Sequence, residues 1–195
     1  MMATTGQDDL RIQRTRQLLH DALVLLLQEK PFYKISVNEL AMRAGINRVT
    51  FYLHYKNIDE FIERFLEGYV VKIKEVLLRY YDQALPREAR EKRIFEHLLT
   101  YIQHNKTVYR LLFVQKALPQ FDKRVMESLR SPSADHMHEY RQSVSDYEMP
   151  REVVSWYAIS AMIGTITFWL EQDLPYSPNY LADKIVRLNP LRNLL

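Results

Sequence analysis

Apolar residues in this chain recur at intervals of three and four along most of its length, only four glycines occur among 195 residues, and strand-like alternation is scarce. The expectation is an all-α fold. A first helix is read over residues 11–30, where Leu19, Ala22, Leu23 and Leu26 form one stripe. Pro31, which cannot continue the hydrogen-bond ladder, stops it. After a short link, Ser36 stands as an N-cap with Glu39 three residues on, and Val37, Leu40, Ala41 and Ala44 line one face of a short second helix. Gly45 suits the left-handed conformation that ends such a helix, and Asn47 caps a third over residues 48–55. Asn57 with Glu60 repeats the capping pattern ahead of a long helix reaching about residue 81.

Beyond Pro86 the same periodicity gives helices near residues 87–104, 107–116 and 121–130. Ser131-Pro132 and Ser177-Pro178 read as N-caps followed by proline at the first helical position, opening helices to about residues 146 and 188. A long apolar helix over residues 150–172 lies between them. The expected organisation is a flexible tail, residues 1–9, a first domain over residues 10–65, and a larger helical domain over residues 66–195.

Hydrophobic residues at 47% and charged residues at 26% fit a folded globular chain. The absence of cysteine excludes disulfides, thiolate metal sites and cysteine nucleophiles, and fits a reducing compartment. Residues 1–10 carry Asp8 and Asp9 and no apolar core of a secretory leader, so a cytoplasmic location is expected. The most apolar runs, residues 22–27 and 158–170, fall short of the roughly 20 residues a membrane span needs, so no membrane partner is expected. The net charge is +3, and all of it lies in the first third: residues 1–57 hold eight Lys/Arg against five Asp/Glu, while the remainder holds 19 of each. A polyanion could use that excess.

An enzyme needs a site, and the usual ones are missing from the sequence: there is no phosphate-cradling glycine loop, no Gly-x-Ser-x-Gly elbow and no His-Glu-x-x-His. Asp135, His136, His138 and Glu139 are the one local metal-like cluster, but neighbouring and alternate positions on a helix face different ways. The chain is therefore read as a non-enzyme without a cofactor or metal.

The residues around Gly45 carry more chemistry. Two short helices joined by a tight glycine turn make a helix-turn-helix: Ala41 permits close approach, and Ile46 and Phe51 lock the pair. With Phe51 and Tyr55 inward, Arg48, Val49, Thr50, Tyr52 and His54 remain on or near the outside. Arginine can bond guanine bidentately, a valine or threonine methyl can touch a thymine methyl, and the threonine hydroxyl can serve either kind of base. Tyr52, His54 and Lys56 can reach phosphates, with Ser36 and Asn38 adding contacts from the preceding helix. Such a pair of helices also occurs in proteins that never touch DNA, and partial burial of Tyr52 or a capping role for His54 would serve structure alone.

The run from Ser36 to Phe61, above all Thr50-Phe51-Tyr52-Leu53-His54-Tyr55 followed by Lys56-Asn57 and Asp59-Glu60-Phe61, resembles the signature of the TetR family of bacterial transcriptional regulators. The resemblance implies phosphate contacts from Tyr52 and His54 and base contacts from Arg48, Val49 and Thr50. Many members open the fourth helix with a phosphate-binding lysine, where this chain has Ile58; Lys56 or backbone amides can substitute. Residues 105–113 and 164–173 resemble a C-terminal subtype frequent in Firmicutes, some of whose members regulate dihydroxyacetone kinase operons.

One helix-turn-helix buries little surface, so two copies on half-sites about one helical turn, roughly 34 Å, apart are expected. The candidate dimer face is Trp156, Ser160, Ile163, Gly164, Phe168 and Trp169, where small residues allow close approach and large ones supply apolar area; a plain monomer core is the alternative. The resemblance implies a repressor binding a pseudo-palindromic operator as a homodimer, with an effector pocket between the helices. Candidate lining residues are Tyr101, His104, Tyr109, Phe113, Met126, Met137, Tyr140 and Trp156. The rivals are a filled core with control by a partner protein, and a helical interaction module that binds no DNA.

Overall fold

The computed structural model describes residues 5–80, 84–130 and 150–188. All of its regular elements, among the described residues, are helical: α1 (Thr5–Glu29), a 3-10 turn (Phe32–Lys34), α2 (Val37–Arg43), α3 (Arg48–Tyr52), α4 (Ile58–Arg79), α5 (Arg87–His104), α6 (Lys106–Tyr109) running into a π-helical turn (Arg110–Val114), α7 (Phe121–Arg130), α8 (Arg151–Glu171) and α9 (Pro178–Leu188). The chain divides into two compact units, Met1–Gly68 and Tyr69–Leu195. The helix anticipated over residues 131–146 lies outside the described residues.

In the first unit the α1 stripe does what its spacing requires: Leu19, Ala22, Leu23 and Leu26 are all buried, as are Leu40, Phe51, Phe61 and Phe65. His20 sets its ring 4.9 Å from that of Phe65, fixing α1 against the start of α4. Helix α1 begins at Thr5, six residues before the expected start, because its opening turns are polar and carry no apolar stripe to announce them. Helix α3 ends at Tyr52 rather than Tyr55, although His54 and Tyr55 both still donate their amides to the Phe51 carbonyl, at 2.9 and 3.0 Å.

The second unit is layered around α8. The π-turn and α7 both pack on it, while α9 packs along α5, where Lys92 reaches Asp183 at 3.8 Å. Leu98, Leu99, Ile102, Tyr109, Leu112, Phe113, Phe121, Ile166 and Leu170 are buried between the layers. Trp169 is only 1% exposed, and its Nε1 donates to the Tyr176 carbonyl at 2.8 Å. That bond steadies a turn in which Asp173 and Leu174 both take left-handed backbone angles (φ 56° and 62°), a conformation costing about 1–2 kcal/mol per non-glycine residue. Trp169→Phe is expected to destabilise the protein by about 2 kcal/mol, through lost volume and an orphaned carbonyl, measurable by urea unfolding. An unchanged midpoint would show that the turn holds without it.

Helix α8 corrects one expectation. Its segment Glu152–Glu171, 20 residues at a mean hydropathy of 1.5, is long and apolar enough to cross a membrane by length and composition, and extends well beyond the apolar run of residues 158–170. One-third of its most apolar 18-residue window is buried within the protein.

Candidate DNA-reading surface and regulatory core

The candidate reading surface is assembled by local chemistry. Ser36 Oγ accepts the Glu39 amide at 3.3 Å to start α2. The carboxylate of Glu39, assigned from sequence to a capping box, instead pairs with Lys30. Arg43 grips Glu29 bidentately at 2.7 and 2.8 Å, tying α2 to the end of α1. Gly45 then takes φ +66°, which lets the Ile46 amide reach back to Ala41 O at 3.0 Å and the Gly45 amide to Met42 O at 3.1 Å. These two bonds satisfy carbonyls left over at the helix end and turn the chain sharply. Asn47 Oδ1 caps α3 by accepting the Val49 amide at 2.8 Å, and Asn57 Oδ1 caps α4 by accepting the Glu60 amide at 2.8 Å. Glu60 in turn accepts the Lys56 amide at 2.8 Å, fixing the link between α3 and α4.

Helix α3 is anchored by Phe51, which is fully buried with Tyr55 and Phe61 at ring distances of 5.5 and 5.9 Å. With that side inward, Arg48, Val49, Tyr52 and Leu53 are exposed and Thr50 is half-buried. The Arg48 guanidinium lies 5.2 Å from the Tyr52 ring centre and donates to its hydroxyl at 3.1 Å, so the two side chains hold each other extended along the helix. Ser36, Asn38 and Lys56 are exposed, and His54 is half-buried. Burial, and secondarily the Arg16 charge, hold the His54 imidazole below its ordinary pKa, so at neutral pH it is an uncharged ring able to donate one hydrogen bond.

Two further residues stand at this surface. Arg16 is exposed on α1 and acts electrostatically on both His54 and Tyr55. Its signal was present only as an arginine on the polar side of a helix. Leu53 is the other, a large aliphatic residue left in solvent.

The second unit gathers some of the pocket candidates and disperses others. Tyr109 lies 5.8 Å from Tyr101, 5.9 Å from Phe113 and 5.5 Å from Tyr69, ring to ring, and Phe113 lies 5.0 Å from Phe121. Burial, and to a lesser degree neighbouring Tyr101, drive the Tyr109 hydroxyl far above its usual pKa, so it stays protonated. Met126 is half-buried on α7. His104 does not join this cluster: it is exposed, and its Nδ1 lies 2.8 Å from the Thr100 carbonyl of its own helix. Trp156 is also exposed, with the Arg130 guanidinium 4.8 Å from its ring centre. Met137 and Tyr140 lie outside the described residues, as does the cluster from Asp135 to Glu139.

The candidate dimer residues divide by face. Trp156, Ser160, Gly164 and Phe168 are exposed at four-residue spacing along α8, together with Val153 and Tyr157, and a Cβ added at Gly164 would meet nothing within 4 Å among the described residues. Ile163 and Trp169 turn inward instead. They belong to the protomer's own core, because α8 is apolar on every side and its burial is decided by what packs on it.

Comparison with known proteins agrees with this architecture. Residues 19–65 match the family described as bacterial regulatory proteins, tetR family, and residues 91–190 match a transcriptional regulator C-terminal region. An uncharacterized helix-turn-helix transcriptional regulator of Bacillus subtilis, YxbF, is 23% identical over 93% of this chain, which spans only 46% of that relative's length. Among solved structures, the dihydroxyacetone kinase operon activator DhaS is 20% identical, with a TM-score of 0.57 over 91% of this chain and 95% of its own. The regulator FadR of Bacillus subtilis, solved in complex with stearoyl-CoA, is 15% identical, with a TM-score of 0.66 over 89% of this chain and 96% of its own. At these identities the structures establish the fold. The matched families and relatives are transcriptional regulators rather than enzymes, and this chain belongs to the TetR family of DNA-binding transcriptional regulators.

Proposed function

We propose that the chain is a cytoplasmic repressor that binds a pseudo-palindromic operator as a homodimer and releases it on binding a small effector. The observation that carries the reading is the outer face of α3, where Arg48 and Tyr52 are held extended over the buried anchor Phe51. Residues 10–65 are assigned to the reading domain and residues 66–195 to the regulatory domain, while the tail expected over residues 1–9 is already helical from Thr5. Arg48, Val49 and Thr50 read bases; Tyr52, His54 and Lys56 bind phosphates, with Ser36 and Asn38 beside them. The exposed apolar face of α8, with Trp156, Ser160, Gly164 and Phe168, supports pairing of two chains. The aromatic cluster at Tyr101, Tyr109 and Phe113 supports an effector site, as does the acyl-CoA bound by a protein of the same fold. Release then requires the effector to favour a state with lower DNA affinity.

Arg48→Ala should relax discrimination at one position of each half-site, while Tyr52→Phe, which keeps the ring and loses the hydroxyl, should weaken all sequences by about 1 kcal/mol and, through the lost bond to Arg48, loosen discrimination at that same position. Affinities across a panel of single-base operator variants measure both. Uniform loss for Arg48→Ala would remove it from the base-reading set.

A further inference from the structure

Helix α3 turns about 100° per residue, so Val49 and Leu53 stand about 160° and 200° round from the buried Phe51. They form the outermost ridge of the helix, flanked by Arg48 and Tyr52 on one side and Thr50 on the other. Their exposures, 66% for Val49 and 77% for Leu53, agree with that geometry. Leu53 remains in helical register: its backbone angles are φ −69° and ψ −22°, and its amide donates to the Val49 carbonyl at 3.1 Å. An aliphatic pair at this pole gains nothing from solvent. The major groove, which the ridge of a reading helix enters, presents one apolar group, the thymine C5 methyl.

We infer that Leu53 is a specificity-determining residue, reading a thymine methyl in each half-site one helical turn beyond the contact made by Val49. The inference rests on the DNA-reading role proposed above. Leu53 lies at the C-terminal end of α3, farther from the helix start that commonly approaches bases most closely, and its longer side chain suits that added distance. An aliphatic contact of this kind also separates thymine from cytosine, which carries hydrogen at C5.

The experiment uses the full chain and an operator selected from random DNA. Each thymine is replaced in turn by deoxyuridine, which deletes the methyl and keeps the base pair. Wild-type protein should lose about fourfold in affinity at one Leu53-dependent position per half-site, the worth of one buried methyl. Leu53→Ala should bind thymine and uracil equally there, Leu53→Met should recover the preference, and Val49→Ala should leave that position unchanged. Matching thermal melts for the variants, expected of so exposed a site, confirm intact folding. If the operator binds but no thymine methyl depends on Leu53, the inference falls while DNA reading stands. If no duplex is selected at all, both fall.

Discussion

Phe51→Ala is expected to cost the first unit about 3–5 kcal/mol and to abolish operator binding while the second unit keeps its helices. Phe51 is fully buried and meets Tyr52, Tyr55 and Phe61 in ring contacts of 5.5, 5.5 and 5.9 Å, so truncation leaves a cavity at the junction of α3 and α4. The unit spans only Met1–Gly68, a size at which total stability is small and a loss of this magnitude decides folding. Hydrogen exchange resolved along the chain checks this, since protection should vanish in α1 to α3 and persist in α5 and α8. Phe51→Leu, nearer in volume, should retain most of the protection. Undiminished protection in Phe51→Ala would mean that α3 is held by something other than its buried aromatic anchor.

The second large effect is ionic. Arg16 and Lys56 stand exposed beside the proposed reading face, giving four phosphate-neutralising cations for the proposed pair of chains, whereas the phosphate contacts proposed for Tyr52 and neutral His54 add no charge. Four released counterions predict that raising salt from 50 to 200 mM weakens operator binding by about a hundredfold. Lys56→Ala or Arg16→Ala should flatten the slope of log affinity against log salt by about two for the dimer. The Tyr52→Phe substitution should lower affinity without changing that slope. A flat response for the wild type would remove the phosphate contacts from the account.

The parts of the molecule that were legible in the sequence are those set by chain neighbours. Ser36, Asn47 and Asn57 cap helices because their side chains reach amides two or three residues on, and Gly45 turns because it lacks a Cβ. The buried stripe of α1 follows from spacing alone. Distant packing decides the rest. The stretch 110–114 reads as ordinary helix, yet Arg110–Val114 widens to a π-turn where it meets α7 and α8. On α8 nothing local separates Phe168, 53% exposed, from Trp169, which is buried; only the surrounding helices and the Tyr176 carbonyl choose between them. His104, a pocket candidate through the family resemblance, lies on the solvent side of its helix. Leu53 was hidden by its company, an aliphatic residue within an aromatic signature, until the position of Phe51 fixed the opposite pole.

The central claim is that two copies of this chain read DNA by sequence, and the most direct measurement is selection of duplexes from a random pool by the purified protein, followed by sequencing. The account predicts enrichment of a pseudo-palindrome whose half-site centres lie about 10 base pairs, or a multiple of that spacing, apart. A pool that emerges without an enriched motif, bound with little dependence on salt, would contradict it.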